Sequence, residues 1–138
     1  MSTLHLTLLG FALWTLAVLA LTVGVHRWSR ILTGRGAIHQ FPADAPEGPD
    51  WYKRATRAHA NCVENLPVYT AIVVAASAAG AEGAALDALG VVLLCARVGQ
   101  TVTHVGFVQT ARAVSVRFTL FSVQLVAMLA MIVIVATR

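Results

Sequence analysis

From residue 6 to residue 25 the chain runs for 20 positions without a charged side chain, and from 118 to 136 it does so again for 19. At about 1.5 Å of rise per residue, a 20-residue helix covers roughly 30 Å, the thickness of a bilayer's hydrocarbon core. A backbone in hydrocarbon must satisfy its own hydrogen bonds, so runs of this length fold as helices. A signal peptide is the rival reading of the first run, but it would want a basic start and a shorter apolar core. Nothing basic precedes residue 26 apart from His5. Composition agrees: only 12% of the 138 residues are charged and 58% are hydrophobic, whereas soluble domains carry about 25% charged residues. The chain reads as one integral membrane domain in a lipid bilayer.

Two further segments complete an all-α, four-helix bundle, with helices expected at about 3–27, 51–80, 84–108 and 112–136. Between the first two lies a polar loop, where Gly34, Gly36, Pro42, Pro46, Gly48 and Pro49 interrupt regular structure. Asp50 suits an N-cap, and Trp51 and Tyr52 suit a membrane interface. A second helix over 51–80 exceeds what the bilayer needs, so its first turns should project into water. Gly80 to Gly83 make a short turn, and residues 109–117 a short basic connection.

The net charge of +4 comes from nine Arg and a single Lys against six acidic residues. In a membrane protein such an excess reports topology rather than nucleic-acid binding. Arg27, Arg30, Arg35, Lys53, Arg54 and Arg57 flank the first loop, and Arg112 and Arg117 flank the third. All fall on one side, which the positive-inside rule makes the cytoplasm, with both termini away from it. Arg over Lys, with abundant Ala and Val, points to a GC-rich bacterial genome and so to a bacterial inner membrane. The five His and two Cys show no metal-ligand spacing, so no metal is expected. There is also no Gly-rich phosphate loop and no hydrolase elbow.

The chemistry concentrates where the second helix enters the membrane. Arg57, Asn61 and Glu64 stand at i, i+4 and i+7 and so share a helix face. Polar side chains at that depth face protein or water rather than lipid, which makes the stripe one wall of a binding site. On the third helix Arg97 lies in an otherwise apolar run, followed by Thr101 and His104 on the same face. A lone Arg there costs about 2.5–3.5 kcal/mol unless paired or hydrated, and an approach to Glu64, direct or through a shared ligand or water, is expected. Pro67, three residues after Glu64, bends the helix; this is either a plain kink of the sort membrane helices tolerate or one that opens space beside that carboxylate. Arg112 and Arg117 read first as topology determinants. Cys62 points off the stripe as a small buried hydrophobe.

The run Arg57-Ala58-His59-x-Asn61-x-x-Glu64-x-x-Pro67 resembles the second-helix signature of the MAPEG family, the membrane-associated proteins in eicosanoid and glutathione metabolism. Arg97-Val98 with Thr101, and then Arg112, resembles its third helix and following loop. The likeness spans about residues 6–136. It implies a homotrimer of four-helix subunits binding glutathione at subunit interfaces. Arg57, Asn61, Glu64, Arg97, Gln100 and His104 would then hold glutathione. Arg112 would stabilise its thiolate, with Ser115 as a second donor, and a hydrophobic small molecule would arrive from the lipid as electrophile. The implied activity is a glutathione-dependent transferase or peroxidase.

This chain departs from relatives in four places. His104 stands where several carry Tyr, Ala60 where the prostaglandin branch has Arg, Asn65 where the leukotriene branch has Tyr, and Val116 where some have Tyr. These departures motivate an alternative, a non-catalytic membrane protein of the same fold that binds a lipid or a partner. A small exporter of cationic drugs ranks last, because its first span would need an acidic residue and has none.

Overall fold

A computed structural model describes residues 1–42 and 44–138 and is built from four helices. Helix α1 runs Thr3–Leu32, α2 Asp50–Ala78, α3 Ala84–Gly106 and α4 Ala111–Ala136. Helix α1 extends past the expected residue 27 because nothing breaks it before Gly34. Within it, Leu19–Gly24 widens to a π-helical turn before α-helical bonding resumes at Val25. At 30 residues α1 measures about 45 Å, longer than the hydrocarbon core is thick.

The ends of these helices follow from local chemistry. Gly80 takes a φ of +62°, a left-handed conformation that side chains resist, and it closes α2. There the Ala81 amide donates back to the Ala76 carbonyl at 2.8 Å, with Ala81 buried beneath the turn. Gly34 ends α1 in the same way, with the Arg35 amide on the Arg30 carbonyl at 2.8 Å. Pro49, rather than the expected Asp50, occupies the N-cap of α2, and Asp50 places its charge in the first turn, where the helix dipole favours it. The Thr110 side chain caps α4 by accepting from the Ala113 amide at 3.2 Å.

Helix α2 lies antiparallel along α1. Near one end the Ser77 hydroxyl meets His5 Nε2 at 2.9 Å, deeper in Tyr69 meets the Thr7 hydroxyl at 2.6 Å, and near the other end Arg27 Nε donates to the Tyr52 hydroxyl at 2.9 Å. Among the described residues three helices, α1, α3 and α4, are long and apolar enough to cross a membrane by themselves. Helix α2 does not meet that measure, because polar and charged residues crowd it from Lys53 to Asn65. Helix α2 nonetheless runs the length of α1, with contacts from Ser77 at one end to Tyr52 at the other. The chain is a multi-pass membrane protein.

The core is apolar, built on Phe11, Tyr69, Val73, Leu93 and Met131, each almost wholly buried. The Asp87 carboxylate ties α3 to the start of α1 by accepting from the Leu4 amide at 2.9 Å. Among the glycines, the tightest approach of a neighbouring helix is at Gly90. A Cβ there would come within 2.7 Å of the Thr7 hydroxyl and 3.0 Å of the Tyr69 hydroxyl. Gly90→Val should therefore destabilise the fold by about 1–3 kcal/mol through overpacking. Thermal unfolding in detergent should show a lowered Tm, and an unchanged Tm would mean that α1 and α3 do not pack this closely.

Candidate functional site

The stripe on α2 faces a groove of about 560 Å³. Arg57, Asn61, Glu64 and Asn65 of α2 form one wall, and Gln100 and His104 of α3 line it beside them. Helix α4 closes it with Val114, Arg117, Phe118 and Phe121, and Gln109 joins from the connection before α4. Each set keeps helical spacing, so each wall presents one continuous face. The result is a cleft with a polar wall and floor on α2 and α3 and an aromatic rim on α4.

Several contacts hold these side chains in place. Gln124, almost fully buried on α4, donates Nε2 to Gln100 Oε1 at 3.0 Å, so the α3 floor is fixed from behind. Asn65 donates Nδ2 to the Asn61 carbonyl at 2.8 Å. Arg54 reaches across to the Val105 carbonyl at 3.3 Å and joins α2 to the end of α3 beside His104.

Five of the side chains expected to hold glutathione, Arg57, Asn61, Glu64, Gln100 and His104, therefore share one groove. The sixth, Arg97, lies behind it. Its side chain is 1% exposed, and its guanidinium sits 5.2 Å from the centre of the Phe11 ring. Thr101 beside it donates to the Arg97 carbonyl at 3.0 Å and lies 3.7 Å from the Cys62 sulfur. Arg97 and Glu64 form no direct ion pair, but the Glu64 carboxylate stays close enough for its charge to act on Arg97. Glu64 is exposed in the groove, whereas Arg97 Nε and Nη2 are buried without hydrogen-bond partners. The Arg97 guanidinium lies over the ring of Phe11 on α1, with Cys62 of α2 also beside it.

Arg112 and Ser115 also lie elsewhere within a single chain. Arg112 lines a second, apolar groove of about 480 Å³ with Thr103, Phe107, Val108 and Val116. The Ser115 hydroxyl is exposed and donates to the Ala111 carbonyl at 2.8 Å. The cation that α4 places in the first groove is Arg117, whose sequence reading was topology. A signal for it was present in the sequence: Val114, Arg117, Phe118 and Phe121 repeat at i, i+3, i+4 and i+7 and mark a face that is not lipid-like throughout.

A family model described as the MAPEG family matches residues 4–137. No curated protein sequence matches the chain.

The absence of a direct Arg97–Glu64 ion pair is measurable. In a double-mutant cycle with Arg97→Met and Glu64→Gln, unfolding free energies should show a coupling below about 1 kcal/mol, against the 3–5 kcal/mol typical of breaking a buried ion pair. Arg97→Met alone should be neutral or stabilising, because it removes an unpartnered buried cation. A coupling of several kcal/mol would restore the direct pair.

Proposed function

The chain belongs to the MAPEG family, and from that premise we propose that it is a membrane glutathione-dependent transferase or peroxidase acting on hydrophobic electrophiles. The observation that supports this most is the convergence of Arg57, Asn61, Glu64, Gln100 and His104 on one groove with Arg117 opposite. Glutathione carries two carboxylates, one ammonium and one thiol. Arg57 and Arg117 suit the carboxylates, since a guanidinium presents a planar fork of donors to them. Glu64 suits the ammonium, and Asn61 and Gln100 supply neutral hydrogen bonds. The aromatic rim of Phe118 and Phe121 gives a hydrophobic acceptor a surface beside the sulfur.

Chemically, the groove must favour the thiolate. A thiol with a pKa near 8.5 is mostly protonated at neutral pH, and lowering it by two units takes about 2.7 kcal/mol of preferential thiolate stabilisation. One charged hydrogen bond supplies roughly 1.5–3 kcal/mol. In a transfer, the sulfur forms a bond to the electrophilic carbon while the leaving group departs with its bonding electrons. Arg112 and Ser115 face away from this groove in their own chain. In the homotrimer proposed here they would serve a neighbouring copy's groove, which places the complete site at the subunit interface. The loop side would face the cytoplasm of a bacterial cell, with both termini across the membrane.

A second reading is a non-catalytic member of the same fold that binds a lipid or a partner. It draws on two donors that are already committed, the Asn65 amide to Asn61 and the Ser115 hydroxyl to Ala111.

The two readings separate on purified protein. Calorimetry should find glutathione binding at millimolar or lower concentration, with Arg57→Ala and Glu64→Ala each weakening it by about 10- to 100-fold. Conjugation of a reactive aryl halide should follow, and Arg112→Ala should lower its kcat while binding persists. Absence of binding at millimolar glutathione would end the transferase reading, and binding without any conjugation or peroxide reduction would favour the second.

A further inference from the structure

Glutathione is an extended molecule with a zwitterionic amino-acid group at one end, a carboxylate at the other and the thiol between them. The groove repeats that order. Arg57 and Glu64 stand on the α2 wall and Arg117 on the α4 wall, while α3 packs between α2 and α4 and provides the floor. A tripeptide held by its charged ends on the two walls lowers its middle onto Gln100 and His104. Gln100 is buried and already engaged by Gln124 at 3.0 Å. His104 is only half-buried and lies one turn nearer the loop side. Arg57 and Arg117 flank it from the walls, and Arg54 lies near it from behind.

Resting on the glutathione reading above, we propose that His104 is a catalytic residue that donates a ring N–H to the glutathione sulfur and holds it as the thiolate. A neutral imidazole always keeps one N–H to donate. The surrounding guanidinium charges favour an anion at that spot over a neutral thiol. The S–H bond breaks with its electron pair left on sulfur, and the proton passes to water. His104 is therefore a donor to the product anion rather than the final holder of the proton. No redox partner is needed for this step.

The test uses the full chain in detergent or nanodiscs, with glutathione as the probe and its ultraviolet thiolate band as the readout. The wild-type protein should bind glutathione and show the band at neutral pH. His104→Leu should bind within about threefold of wild type yet show a thiolate fraction about tenfold lower, the loss of one charge-assisted hydrogen bond. His104→Gln, which retains an N–H donor, should keep most of the band, a rescue that a merely structural role would not produce. His104→Phe repeats the comparison should the Leu variant fail to fold. A full thiolate band in the Leu or Phe variant overturns the role of His104. So does a wild-type protein that binds glutathione without developing the band. A wild-type protein that binds no glutathione overturns the parent reading itself.

Discussion

Everything in this fold depends on where α2 keeps its polar atoms. A helix that carries Lys53, Arg54, Arg57, Asn61, Glu64 and Asn65 cannot face hydrocarbon along that stretch, because each unpaired polar group there costs several kcal/mol. The bundle resolves this by laying α2 against α1 and by opening its charged face into a cleft. The tie between Thr7 and Tyr69, buried on both sides, sets the register of that pairing. A slip of one residue would turn the Arg57–Glu64 stripe by about 100°. The groove is thus a consequence of how the membrane constrains α2.

The same logic explains the division of labour among the arginines. Arg57 and Arg117 stand in the groove, where solvent or an anionic ligand can reach them. Arg54 supports the helix junction through the Val105 carbonyl. Arg97 alone is buried in the bundle, held against the face of Phe11. A cation over an aromatic ring recovers part of what it loses by desolvation, though less than a carboxylate would return. An apolar residue of similar volume would serve stability as well there, so Arg97 is the side chain that packing explains least.

Much of the architecture was legible in the sequence, and the reasons are physical. Uncharged runs of bilayer length can hardly be anything but helices, and Gly34 and Gly80 end theirs because they accept positive φ. Arg57, Asn61 and Glu64 were readable as one face because helical spacing alone decides it. What could not be read was azimuth between helices. Arg112 and Arg117 look interchangeable in a basic connection, but five residues of helix turn them about 140° apart, so they enter different grooves. The contact of Arg97 with Phe11 was hidden for a similar reason: the depth of Arg97 follows from counting residues, whereas this contact depends on where another helix stands.

Electron cryomicroscopy of the protein in lipid nanodiscs with glutathione tests the central claim, that the polar faces of α2, α3 and α4 converge on one anion-binding groove. The account predicts tripeptide density between the α2 and α4 walls, with Arg57 and Glu64 within about 3.2 Å of its charged groups and α3 beneath its sulfur. Density lodged elsewhere, or a groove whose walls have separated so that Arg57 and Arg117 face different surfaces, would contradict it.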